Sequence, residues 1–325
     1  MIIKLAILVI LYYTVNYLIN FLKSHYIHKK IVLSFDYIFI YRPTLFFVIW
    51  LMVSLGMYIA YLSNNYNPQW IFKFNFKTFL LFLSITFIMG SIFVNDSKDN
   101  LDDNKKRIIS KITLCIGLIC LLLINIYNII LGLVLYLFLN FIYCNNDIKN
   151  NFLLKSFSNT FIGLILLMSG FVFICSHGSY LSLDLTSHGY KTLLLIFLSS
   201  LCYLAIFFMV ELFNNDSILF NSRRVITFIS TLILFFVLLI SMYIGNPLLS
   251  ICTISSIPFY LYALFRNDNK DIIRSIRYPI FIFNFFVATI FPYLAIAVIT
   301  IFYLSKYYYW HRLNIHYPTF LVEND

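Results

Sequence analysis

Long apolar runs separated by short polar breaks make up almost the whole chain. Ten runs can be marked, at about residues 2–22, 44–63, 76–95, 111–128, 129–144, 159–176, 192–213, 224–244, 247–265 and 279–305. Most are close to the ~20 residues that a helix needs to cross the hydrocarbon of a bilayer. They are too long and too uniformly apolar for the alternating strands of a membrane barrel. A helix satisfies its own backbone hydrogen bonds in lipid, so the pattern predicts an all-α, polytopic membrane helical bundle. The first run has no small-residue cleavage site and leads into "KSHYIHKK", which fits a retained membrane helix followed by a basic loop better than a signal peptide.

Charge gives the bundle a direction. Of the 23 Lys and Arg, 17 fall in alternate connections, counted from the first, and 6 fall in the remaining connections and the two ends. Positive charge collects on the cytoplasmic side, so the odd connections are expected there, both termini outside, and the chain in a bacterial inner membrane. This placement also accounts for the net charge of +10, which in a soluble protein would suggest nucleic acid; no nucleic-acid partner is expected. Hydrophobic residues make up 62% of the chain, which leaves little soluble mass. The six cysteines lie in or beside apolar runs without a CxxC pair, so they read as apolar filler and not as a zinc site.

Against this background the segment "GSIFVNDSKDNLDDNKKRI" (90–108) stands out. It holds four of the chain's 13 acidic residues, at the end of one apolar run. Asn95, Asp99 and Asp103 are spaced i, i+4, i+8, with Asp96 beside Asn95. On one continuous helix they would form a single stripe. Such a stripe repels itself unless a cation neutralises it, and carboxylate and amide oxygens suit Mg²⁺ together with phosphate oxygens. A plain solvated loop is the competing reading.

The pattern N-D-x-x-D-x-x-x-D at the end of an early membrane helix resembles the first signature of the UbiA superfamily of intramembrane prenyltransferases. Here it is Asn95, Asp96, Asp99 and Asp103. Three further segments resemble that family in the same order. They are "YRPTLFF" (41–47) before the first core helix, "YCNNDIKNNFLLKSFSN" (143–159) after the fourth, and "VELFNNDSILFNSRR" (210–224) after the sixth. The resemblance covers about 36–310 and implies nine core transmembrane helices, preceded by one extra N-terminal helix and basic loop (1–35) and followed by a polar tail (311–325). It departs at the second acidic segment. The family carries aspartates in D-x-x-x-D there, whereas this chain has Glu211 and Asn215, with Asp216 next and no glycine following.

The resemblance implies Mg²⁺-dependent transfer of an isoprenoid from a polyprenyl diphosphate to a lipophilic acceptor in the bilayer. Acceptors in the superfamily include quinone precursors, tetrapyrroles, glycerol lipids and carotenoids. It makes Asn95, Asp96, Asp99, Asp103, Glu211, Asn215 and Asp216 candidate metal ligands. Arg42, Asn95, Lys149, Lys155, Arg223 and Arg224 become candidates for the diphosphate, and Asp99, Asp103 and Arg42 the catalytic set. Two alternatives within the fold are a terpene cyclase and a catalytically silent prenyl-diphosphate binder. A transporter would carry ionisable residues at mid-membrane, whereas here the acids stand at the rim.

Overall fold

The computed structural model describes Tyr13, Thr14 and Tyr17 and residues 26–63, 75–95, 103–144, 148, 151–177, 187–214 and 220–313. All regular structure among them is helical. The helices are α1 (Tyr26–Phe39), α2 (Phe46–Ser63, preceded by a 3₁₀ turn at Pro43–Leu45), α3 (Phe76–Asn95), α4 (Asp103–Leu122), α5 (Ile126–Cys144), α6 (Phe152–His177), α7 (Ser187–Asn214), α8 (Phe220–Ile244), α9 (Pro247–Arg266), α10 (Asn269–Ile290) and α11 (Pro292–Leu313). Seven of them, α2, α3 and α6 to α10, are long and apolar enough to cross a membrane. Large apolar side chains such as Leu232, Phe236 and Leu239 on α8 remain on the outside, where lipid is their natural solvent. The chain is an integral multi-pass membrane protein.

Lipid is as apolar as leucine, so burying leucine does not hold these helices together; close packing does. The most extensive contacts are α3 with α4 and α2 with α6. At the α2–α6 crossing Gly56 and Gly170 face opposite backbones. A Cβ on Gly56 would lie 1.9 Å from the Leu167 carbonyl oxygen, and one on Gly170 would lie 2.0 Å from that of Val53. Only a residue without a side chain lets the two backbones approach so closely. The α3–α4 hairpin is tight for a similar reason, with Gly117 against Ser84 and Ile88, and Trp50 of α2 donates from Nε1 to Thr86 of α3 at 2.9 Å.

Helix ends follow local chemistry more than hydropathy. Asn151 accepts from the backbone N–H groups of Leu153 (3.1 Å) and Leu154 (3.3 Å), so α6 starts seven residues before its apolar run. At the α8–α9 turn Gly245 takes φ 76°, Asn246 caps α9 by accepting from Leu249 N–H at 3.0 Å, and Pro247 opens the helix.

Several expectations change. The span at about 279–305 is two helices. Pro292 has no N–H to continue α10, Phe291 leaves helical geometry (φ −116°, ψ 81°), and α11 turns back along the bundle. Its first turn meets α3 through Tyr293 and Phe82, near the start of α3. Its last turns meet α1, where Tyr308 donates to Asp36 at 2.6 Å and stacks on Phe39 at 3.9 Å. Leu313 therefore lies at the same end of the bundle as Arg42, and not at the opposite end as expected. The nine apolar runs expected as the core correspond in order to α2 to α10, and α11 is the second part of the last run. "KSHYIHKK", expected as part of a loop, runs into helix α1, whose Val32 and Phe39 are buried while Tyr37 faces outward. Of the extra N-terminal run, Tyr13, Thr14 and Tyr17 are described and helical; the rest lies outside the described residues.

Candidate functional site at the basic end of the bundle

The two ends of the acidic segment stand on different helices. Asn95 is the last residue of α3 and Asp103 the first of the antiparallel α4, so the expected single-helix stripe from 95 to 103 is replaced by a hairpin end. Asp96 and Asp99 lie outside the described residues. Lys106, one turn into α4, is buried.

Arg42 is held at this hairpin by its neighbour. The Tyr41 ring fills the space beside Gly90 of α3, where a Cβ would come within 2.7 Å of it, and its hydroxyl is hydrogen-bonded to Thr113 of α4. Burial pushes the Tyr41 phenol above its ordinary range, and the Thr113 hydrogen bond opposes this. Arg42 itself is exposed and sits in the left-handed region (φ 50°, ψ 61°), a conformation that costs a non-glycine residue about 1 kcal/mol or more. The turn is closed by Arg42 N–H to Phe39 carbonyl (3.0 Å) and Leu45 N–H to Arg42 carbonyl (2.9 Å).

At the same end, α6 and α7 bring Lys155 and Glu211 together. Lys155 Nζ lies 2.6 Å from Glu211 Oε2, and the side chains are 30% and 2% exposed. The contact is an ion pair that falls off the line of a well-aligned hydrogen bond, so Oε2 keeps accepting capacity. One turn away Phe208 is flanked by Phe152 (5.8 Å, stacked) and Phe157 (6.1 Å, edge-on). Expectation gave Lys155 to the diphosphate and Glu211 to a metal; the structure joins the two to each other.

Arg223 near the start of α8 donates from Nη1 to Asn269 Oδ1 at the start of α10 (3.0 Å), and Arg224 beside it is exposed. Lys149, Asn215 and Asp216 lie outside the described residues. The expected basic and acidic positions that are described, namely Arg42, Asn95, Asp103, Lys155, Glu211, Arg223 and Arg224, thus stand at one end of the bundle. Among the described residues no three His, Cys, Asp or Glu side chains form one cluster.

Two features escaped sequence reasoning. Asp271, buried in the first turn of α10, pairs with Arg274 (2.8 Å) and Arg266 (3.3 Å) and ties α9 to α10. Asp36 of α1 accepts from Tyr308 and from Arg312 Nε (3.1 Å) and ties α1 to α11. The i, i+3 spacing of Asp271 and Arg274 could have flagged the first. Asp36 and Tyr308 are 272 positions apart, and the sequence gives no signal that they meet.

The chain matches no protein-family profile and no curated sequence. Among solved structures, a digeranylgeranylglyceryl phosphate synthase of membranes has the same fold. It superposes with a TM-score of 0.50 at 16% identity, covering 79% of this chain and 99% of that one. At this identity the likeness concerns the fold, and it is the all-α intramembrane fold that the UbiA resemblance implies.

Proposed function

We propose that this protein is an intramembrane prenyltransferase. It would move an isoprenoid chain from an allylic diphosphate to an acceptor dissolved in the bilayer, with its polar site on the cytoplasmic side. The observation that carries the reading is the gathering of the facing ends of α3 and α4 at Asn95 and Asp103, Arg42, the Lys155–Glu211 pair and Arg223 at one end of an apolar bundle. Substrate chemistry asks for that division. The diphosphate needs charge at an interface, and the prenyl tail needs a dry apolar interior.

In the reaction the C1–O bond of the allylic diphosphate breaks and its electron pair leaves with the diphosphate. A nucleophilic atom of the acceptor then bonds to C1 and releases a proton. Leaving-group charge is the main obstacle, and preorganised positive groups lower it. Arg42, anchored beside the α3–α4 hairpin, would bind phosphate oxygens, with Lys155 and Arg223 at the same end of the bundle. Asn95, Asp96, Asp99 and Asp103 are hard oxygen donors in the sequence that links α3 to α4. They fit Mg²⁺, which when bound would neutralise the diphosphate. Aromatic side chains of the bundle can shield the developing allylic cation.

The test is to reconstitute the protein and supply labelled geranylgeranyl or farnesyl diphosphate with a membrane lipid extract, in Mg²⁺ or in EDTA, beside Asp99→Ala. Mg²⁺-dependent diphosphate release, abolished by Asp99→Ala, is the expected result, and the labelled product identifies the acceptor. Prenyl-diphosphate binding that ignores both Mg²⁺ and Asp99→Ala would refute the reading. Binding without release would identify a catalytically silent member, and a labelled hydrocarbon ring without acceptor would identify a cyclase.

A further inference from the structure

The second acidic segment behaves differently from the first. Its described carboxylate, Glu211, is almost fully buried, and the Lys155 ammonium lies 2.6 Å from Oε2. Mg²⁺ demands close to six oxygens at ~2.0–2.1 Å and sheds its water reluctantly. Seated on Glu211 it would be in contact with the ammonium, and at such a distance in a site of low dielectric two cations repel strongly. Displacing Lys155 would mean breaking an ion pair where water compensates poorly. Among the described residues no second acidic side chain joins Glu211 to offset this. The ammonium has three N–H donors and is ion-paired with Glu211, and the lysine is partly open at the end of the bundle that carries Arg42 and Arg223.

We propose that Lys155, held by the buried carboxylate of Glu211, takes the place of a metal ion at the second acidic segment. The site then binds its diphosphate with metal at the first segment alone, and the Lys155 ammonium serves as the fixed positive group opposite. This rests on the prenyl-diphosphate reading above. It reassigns Glu211 from metal ligand to positioning residue for Lys155.

The experiment counts bound Mn²⁺ by electron paramagnetic resonance on the full-length protein in phosphatidylcholine nanodiscs, with the unreactive analogue farnesyl S-thiolodiphosphate. Three variants are compared with the native chain: Glu211→Gln, Lys155→Met, and the double Lys155→Met/Glu211→Leu, whose apolar pair avoids leaving a buried charge alone. The expected result is a Mn²⁺ count and affinity left unchanged by Glu211→Gln and by the double variant. Affinity for the thiolodiphosphate should fall about tenfold or more wherever Lys155 is lost. If Glu211→Gln removes one Mn²⁺ from the count, Glu211 is a ligand and the proposal is overturned, while the prenyltransferase reading stands. If the native protein binds the thiolodiphosphate with no Mn²⁺ at all, the metal-dependent prenyltransferase reading falls, and the proposal, which keeps the metal at the first segment alone, is overturned with it.

Discussion

Replacing Gly56 by alanine puts the close approach of α2 and α6 to a direct test. The new Cβ would stand 1.9 Å from the Leu167 carbonyl oxygen and 2.8 Å from its carbon, and ordinary contact begins near 3.4 Å. The helices would have to part by roughly 1.5 Å at that point, because the obstacle is backbone and cannot rotate away. Overpacking of this kind costs about 3 kcal/mol, and alanine recovers about 1 kcal/mol through its better helix propensity, so a net loss of about 2 kcal/mol is expected. Gly170→Ala should behave alike, since its Cβ would meet the Val53 carbonyl at 2.0 Å. Gly117→Ala is the comparator. Its nearest obstacles, at 3.0 Å, are a flexible Ile88 side-chain atom and the Ser84 carbonyl, and its change should stay within about 1 kcal/mol. Reversible unfolding in mixed micelles, read by tryptophan fluorescence, measures all three. Because α2 follows directly on Arg42 and α6 carries Lys155, parted helices should also weaken diphosphate binding. If Gly56→Ala and Gly170→Ala both stay within about 0.5 kcal/mol of the native protein, the close crossing is refuted.

The contact between α1 and α11 makes a second prediction. Tyr308→Phe removes the 2.6 Å hydrogen bond to Asp36, and losing about 1 kcal/mol at this half-open site should speed amide exchange in the last two turns of α11 about fivefold. Unchanged exchange there would show that Tyr308 does not hold the helix. The return of α11 can be checked by impermeant maleimide labelling in a cysteine-free background. Cysteines at Asn104 and Trp310 should label from one side of the membrane and a cysteine at Lys191 from the other. Labelling of 310 together with 191 would restore the single span first expected.

Hydropathy alone is enough to give the class of the protein and the order of most of its helices. Apolar runs in lipid leave the backbone no alternative to a helix, and α3 (Phe76–Asn95) coincides with its run residue for residue. The alternation of basic connections also gathers the polar candidates to one face. Hydropathy could not locate ends fixed by single polar atoms, such as the Asn151 cap of α6. It could not divide one apolar stretch at Pro292, where the missing N–H and the turn cost little in hydrophobicity. Pairing was decided by tertiary structure alone. Glu211 and Lys155 are 56 positions apart, and Asp36 and Tyr308 are 272 apart. An isolated carboxylate in a sequence reads equally well as a metal ligand or as half of an ion pair. Which it becomes depends on the cation that packing brings to it, and at Glu211 the meeting of α6 and α7 brings the ammonium of Lys155.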